Sequence, residues 1–298
     1  MTRFVAIGEC MVEMSPTDQP GHFRMGFAGD TMNTAWYLRR LLPETDSVDY
    51  MSAVGTDAIS ASMTDFLADA GIGTSCIARR TDRTVGLYMI QLQDGERSFS
   101  YWRGQSAART LAQDAEALQQ ALSAADVAYF SGITMAILPP EDRSRLLAAL
   151  SAFRTAGGEV VFDPNLRPRL WGSPDEMIAA ISRAAAVSDT VLPSWEDEAA
   201  WFGDADPLTT ARRYADSGVR TVVVKNGPAP MLLWDKGETS HHLPAAVTAV
   251  VDTTAAGDSF NAGFLAGRAK GATLAQAIRA GAELAAKVIQ SRGALVRT

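Results

Sequence analysis

Val250-Val251-Asp252-Thr253-Thr254-Ala255-Ala256-Gly257-Asp258-Ser259-Phe260-Asn261-Ala262-Gly263-Phe264 passes from a short strand-like run, through small residues, into a segment with helical spacing. Alternation of such elements builds a parallel sheet covered by helices. Small side chains at Ala255, Ala256 and Gly257 let an anion approach the backbone. The first helical turn adds unpaired N–H groups and the positive end of a dipole, so the stretch reads as a phosphate seat. Asp258 stands in that turn, where the dipole favours the ionised form and keeps it able to accept a proton near neutral pH. Phosphoryl transfer asks mainly for positioning and charge stabilisation, which one carboxylate beside a hydroxyl and a backbone anion hole supply. The plainer reading of Asp258 is a helix N-terminal carboxylate worth about 0.3 to 1 kcal/mol.

Working outward, short apolar runs recur at Phe4 to Ile7, Tyr50 to Val54, Val127 to Phe130, Val160 to Phe162 and Thr221 to Val224. They read as buried strands, with helical stretches between them at Leu146-Leu147-Leu150-Phe153 and from Leu274 to Ile289. The 298 residues are 47% hydrophobic and 20% charged, an ordinary globular composition. The net charge of -7 argues against nucleic-acid or anionic-membrane partners, which clustered Lys and Arg would hold. The two cysteines, Cys10 and Cys76, suit a reducing compartment, and no apolar run approaches the roughly 20 residues that span a bilayer. A cytoplasmic location is expected. No GxxxxGK[ST] occurs, and Gly71-Ile72-Gly73 has Cys76 where a third glycine would complete a dinucleotide fingerprint.

Val85 to Gln93 and Glu96 to Arg103 break the rhythm as two strands around Asp94-Gly95, a hairpin signal. Their pairing puts Tyr88 opposite Tyr101 and Gly86 opposite Arg103, so Tyr88, Tyr101 and Arg103 share one face. A flap of this kind is expected to project from the sheet with no core to fill.

The Asp252 to Phe264 stretch resembles the C-terminal signature of the ribokinase-like, or PfkB, carbohydrate kinases, with Ala-Ala-Gly-Asp for the commoner Gly-Ala-Gly-Asp. Gly26-Phe27-Ala28-Gly29-Asp30-Thr31-Met32-Asn33-Thr34-Ala35 resembles that family's Gly-rich sugar loop. Ile7-Gly8-Glu9, Ala53-Val54-Gly55-Thr56-Asp57, Asp163-Pro164-Asn165-Leu166-Arg167 and Val224-Lys225-Asn226-Gly227 fall where the family places its strand ends. The resemblance implies one 1–298 unit, a three-layer αβα sandwich with a mostly parallel sheet and a small antiparallel β-flap. Lid segments are expected at about 10–28 and 85–104.

It also implies ATP with Mg²⁺, Asp258 as base and Ala255, Ala256 and Gly257 as anion hole. Asn165, Arg167, Ser194, Lys225, Gly227 and Pro228 join these three as ATP contacts, with 225–230 near adenine. Pro193-Ser194-Trp195-Glu196-Asp197 resembles the family's NxxE stretch but carries Ser194 for Asn and Asp197 for Glu. Asp197 and Asp252 are the candidate metal ligands, and the family's monovalent cation, such as K⁺, would lie close to Asp252. Read by their charge pattern alone, Glu196, Asp197 and Glu198 are a solvated first helical turn.

Gly29, Asp30 and Asn33 match residues that hold sugar hydroxyls. Phe99-Ser100-Tyr101-Trp102-Arg103 with Gly86-Leu87-Tyr88 resembles the 2-keto-3-deoxygluconate kinase branch, whose substrate is an acid phosphorylated at its 6-hydroxyl. Arg103, with Tyr88 and Tyr101, suits that carboxylate because a planar guanidinium recognises it bidentately, and Arg167 is a second candidate. A neutral-sugar kinase such as a fructokinase, or a sugar sensor without catalysis, are the competing readings. Flaps of this family often pair between subunits, so a homo-oligomer is expected.

Overall fold

In a computed structural model describing residues 1–93 and 96–297, the apolar runs lie side by side as strands. In chain order these are β1 (Arg3–Ile7), β2 (Met11–Pro16), β3 (Phe23–Ala28), β4 (Ser47–Gly55), β5 (Ile77–Arg80), β6 (Gly86–Gln93) and β7 (Glu96–Trp102). There follow β8 (Val127–Ser131), β9 (Glu159–Asp163), β10 (Thr190–Val191), β11 (Thr221–Val224), β12 (Met231–Asp235) and β13 (Glu238–His242). The helices are α1 (Asp30–Leu41), α2 (Ala58–Asp69), α3 (Ala115–Ser123), α4 (Gly132–Ile137), α5 (Pro140–Thr155), α6 (Pro174–Ala186), α7 (Trp195–Phe202), α8 (Pro207–Asp216), α9 (Ala256–Ala269) and α10 (Leu274–Val288).

Among the described residues nine strands form one sheet in the order β13-β12-β11-β10-β9-β8-β1-β4-β5. It is parallel from β5 to β11 and antiparallel at β11/β12 and β12/β13. Alternation along each strand explains why these runs are continuously apolar. Phe4 and Ala6 enter the core with α1, α2, α9 and α10, whereas Val5 and Ile7 enter the core with α3 to α6 and α8. Phe130 and Phe162, opposite each other on β8 and β9, stack at 4.7 Å, a cross-strand aromatic pair worth about 0.5 to 1.5 kcal/mol beyond its buried area. The hairpin β12/β13, which holds His241 and His242, was not anticipated; it follows β11 directly, without a crossover helix.

A second sheet has the order β3-β2-β6-β7. Its β2/β3 and β6/β7 pairs are antiparallel, but β2/β6 is parallel, so the flap is mixed rather than wholly antiparallel as expected. The β6/β7 register runs from Leu87 opposite Trp102, through Tyr88 opposite Tyr101, to Gln93 opposite Glu96. The expected turn residues Asp94 and Gly95 lie outside the described residues. The flap does have a core to fill, because Tyr88 and Ile90 are buried among the apolar side chains below.

Val250 and Val251 form no strand. Their side chains are exposed, while the N–H groups of Val251 and Asp252 donate to Ile289 O at 2.8 and 3.1 Å. The segment after α10 is fastened further, with Tyr37 donating to Ala294 O at 2.8 Å and accepting from Val296 N at 2.9 Å.

Candidate active site

The carboxyl ends of parallel strands leave backbone and side chains unshared at one edge of the sheet, where ligands of open α/β folds bind. Here that edge collects Glu9 after β1, Asp163 closing β9, Ser194 after β10 and Lys225 after β11. The start of α9 faces them, and α1 brings Asp30 and Asn33 alongside.

Asp258 lies in the first turn of α9 and is 9% exposed. Asn33 Nδ2 donates to its Oδ2 at 2.8 Å, and Thr34 Oγ1 to its backbone oxygen at 3.2 Å, so the sugar loop and the phosphate end meet at this carboxyl. Burial, reinforced by the negative charge of Asp30, raises the Asp258 carboxyl to about 8, against the lowering effects of Asn33 and Lys225. The dipole was expected to keep it ionised, but desolvation is the stronger effect. Burial also raises Asp30, although Ser131 and Asn165 bond to its carboxylate, with Asn165 Nδ2 at 2.8 Å. Asn165 thus reaches the sugar side rather than standing only with the expected ATP contacts, and its φ of 36° is one that Asn tolerates.

Ala255, before the helix, has φ 59° and ψ 18°, a left-handed backbone that costs an alanine about 1 to 2 kcal/mol. The anion seat is smaller than expected, because Ala256 N donates to Thr253 O at 3.1 Å. Among the described residues no acceptor takes the N–H groups of Gly257 and Asp258. Asp252 steadies the turn: its carboxylate accepts from Thr254 N at 3.0 Å, Thr254 Oγ1 at 2.7 Å and Gly293 N at 2.7 Å.

Lys225, expected near adenine, instead turns its ammonium toward the seat. Nζ lies 3.2 Å from Asp163 Oδ2, 3.3 Å from Asn261 Oδ1 and 3.5 Å from the point a Cβ on Gly257 would occupy. Asn261 in turn donates to Asp163 at 2.6 Å and to the Tyr129 hydroxyl at 3.0 Å. Asp163, Asn261 and Tyr129 were not singled out as site residues. The available signal was a polar residue ending a buried strand, and an Asn one turn beyond Asp258. Gly227, with φ 52°, and Pro228 are exposed in the turn between β11 and β12.

Trp195 N donates to Lys225 O at 2.8 Å, which brings Ser194 beside Lys225. Arg167 donates to Leu166 O at 2.6 Å and stands 3.7 Å from Asp197, an exposed guanidinium beside a half-buried carboxylate. Burial raises the Asp197 carboxyl despite that guanidinium. The turn is not wholly solvated, since Glu198 is fully buried, accepts from Arg213 at 2.6 Å and Tyr214 at 2.9 Å, and is raised to about 7 by burial. This ties α7 to α8.

At the flap, Tyr88 is buried and donates to Glu13, while Tyr101 is 52% exposed with its ring 5.9 Å from that of Tyr88. Arg103, expected to be available to a ligand, is 9% exposed and paired with Glu9, which the sequence marks only as part of the Ile7-Gly8-Glu9 strand end. Gly29 needs its missing side chain, because a Cβ there would stand 2.1 Å from Glu9 O.

Residues 1–297 match the family described as pfkB family carbohydrate kinase. The 2-dehydro-3-deoxygluconokinase of Dickeya dadantii is 40% identical over 297 residues, covering 97% of this chain and 95% of that protein. The enzyme of the same name from Escherichia coli K12 is 38% identical, covering 99% and 97%. The solved structure of a fructokinase with bound ATP from Xylella fastidiosa superposes with a TM-score of 0.86 at 23% identity, over 98% of this chain and 93% of that one, and so shares the ribokinase-like fold. With that match, that fold and two signature stretches converging on Asp258, the chain belongs to the pfkB family of carbohydrate kinases.

Proposed function

We propose that this chain transfers the terminal phosphoryl group of ATP to the 6-hydroxyl of 2-keto-3-deoxygluconate. The substrate follows from the near-full-length likeness to the Dickeya enzyme. The observation that carries the chemistry is the buried Asp258 carboxyl, held by Asn33 at the start of α9. Asn33 engages Oδ2 and leaves Oδ1 for the hydroxyl proton. As the 6-hydroxyl oxygen attacks the terminal phosphorus, Asp258 takes its proton and the bond between that phosphorus and the bridging oxygen breaks, releasing ADP. A carboxyl near 8 is a stronger base than an ordinary one and is matched to neutral conditions.

Gly257 and Asp258 N–H groups, with the Ala255–Gly257 turn, receive the moving phosphoryl, and Lys225 contributes its charge there. Ser194, Asn165 and Arg167 flank the phosphates, while Gly227 and Pro228 border the adenine. Mg²⁺ is commonly bound by one or two carboxylates together with substrate phosphates. Asp197, at the same edge, offers one such oxygen set; when bound, the ion supplies positive charge to the phosphate oxygens. A monovalent cation is assigned to the Asp252 turn, to be tested by activity in K⁺ against tetramethylammonium.

Gly29, Asp30 and Asn33 take the sugar hydroxyls, and Tyr88, Tyr101 and Arg103 take the acid end. The four-stranded sheet, approximately segments 10–28 and 85–104 of one 1–298 unit, acts as a lid that excludes water. On its edge strand β7, Phe99 and Tyr101 on one face and Trp102 on the other are 40, 52 and 59% exposed, so the edge presents apolar side chains on both faces to a second copy of the chain. Light scattering of Phe99→Ser/Trp102→Ser should show the oligomer dissociating. A cytoplasmic location agrees with free thiols at Cys10 and Cys76.

A panel of sugars and sugar acids in a coupled ATP-turnover assay tests the whole reading. The keto-acid should have the highest kcat/KM; preferential turnover of fructose would transfer the chain to the fructokinases.

A further inference from the structure

Glu9 follows β1 and is 2% exposed, with each carboxylate oxygen engaged: Oε2 accepts from Arg103 Nη2 and Oε1 from Ser106 Oγ. Two glycines make room for it. A Cβ on Gly86 would stand 2.9 Å from Glu9 Oε1 and 3.2 Å from Arg103 Cβ, and one on Gly29 would meet the Glu9 backbone oxygen. Gly86 belongs to the lid and Gly29 to the sugar loop, so Glu9 is packed where the two meet.

Burying an ion pair is expensive and seldom explained by stability alone. This pair is also incomplete, because Arg103 Nε is buried with no partner among the described residues. An unsatisfied buried donor in a native protein calls for an explanation, and at a binding site a ligand acceptor supplies one. A 2-keto acid carries three oxygens side by side on its first two carbons. An arginine left free would lose about 2 kcal/mol of rotamer entropy on fixing its fork, a cost met in advance when another group already holds it.

Building on the keto-acid reading above, we infer that Glu9 is a positioning residue that fixes the Arg103 guanidinium so that its remaining donors meet the acid end of the substrate. Glu9 also cancels the charge of Arg103. Recognition therefore rests on directed hydrogen bonds rather than on net charge, and a ligand lacking the acid end gains none of them.

The test is a cycle of Glu9→Gln, Arg103→Ala and the double variant, with KM for the keto-acid, KM for ATP and kcat measured separately. Arg103→Ala should raise the keto-acid KM by about 100-fold and Glu9→Gln by about 10-fold, with kcat within about twofold and the ATP KM unchanged. Adding Glu9→Gln to Arg103→Ala should raise it no further, because positioning acts only through Arg103. If Arg103→Ala raises KM but Glu9→Gln does not, or if the two effects add, Glu9 is not the positioning residue while the keto-acid reading stands. An Arg103→Ala enzyme with wild-type KM would overturn the keto-acid contact itself. Should Glu9→Gln not fold, Ser106→Ala, which loosens Glu9 from the other side, should give an increase of about threefold, and none would overturn the inference.

Discussion

The phosphate end and the root of the lid each bury a carboxylate, and they treat it in opposite ways. Glu9 is given a guanidinium and a hydroxyl, one on each oxygen, and two glycines are shaped around it. Asp258 is given one amide hydrogen bond, while its nearest charged neighbours include the carboxylates of Asp30 and Asp163, and it is raised to about 8. Compensated charge holds a shape; uncompensated charge is poised to take a proton. In the roles proposed above, the same sheet edge carries one carboxylate held for recognition and one poised for chemistry.

The strongest way to break this contrast is at Asp258. Asp258→Asn should lower kcat by about 10²- to 10⁴-fold while the keto-acid KM stays within a few-fold, as measured by steady-state kinetics. Next in size is the pH profile. With Asp258 near 8 in the free enzyme, kcat/KM should climb about tenfold per pH unit up to that value and then level off, whereas an inflection near pH 4 would mean the carboxyl is ordinary. Stability runs the other way. The folded chain favours the neutral carboxyl, so the associated stabilisation is complete below about pH 4 and lost as pH rises through 8. Melting curves should therefore show Asp258→Asn gaining on the wild type between pH 5 and 9.

Lys225→Met should reduce kcat/KM for ATP by about 10- to 100-fold, the worth of one hydrogen bond to a charged group, with little change for the sugar. The smallest effect belongs to Ala255→Gly. Relief of a left-handed alanine, offset by about 0.4 to 1 kcal/mol of extra unfolded-chain freedom, should leave the variant between about equal in stability and about 1.6 kcal/mol more stable by urea melts.

These two ends also differ in how far the sequence disclosed them. The phosphate end was legible because its signal is local: small residues, an aspartate and a helix lie within a dozen positions. The buried strands were equally plain, since a run such as Thr221 to Val224 must be apolar on both sides. The Glu9 to Arg103 pair joins residues 94 apart, and no periodicity points from one to the other. The protonation of Asp258 was misjudged for a related reason. Its helix position is written locally, but its burial and the approach of Asp30 depend on how α1 packs against α9. Ala256 could not be seen to spend its N–H on Thr253 without the turn geometry that the left-handed Ala255 creates.

The fastening of residues 289–296 to Tyr37 and Asp252 carries a practical corollary for handling the protein. A protease that cleaves after the exposed Arg292 would sever Gly293 from the chain that anchors it, and with it the donor that Asp252 uses to steady the phosphate turn. Such a nick removes none of the residues proposed above to touch substrate, so digestion should lower turnover while the clipped enzyme still looks nearly intact by mass.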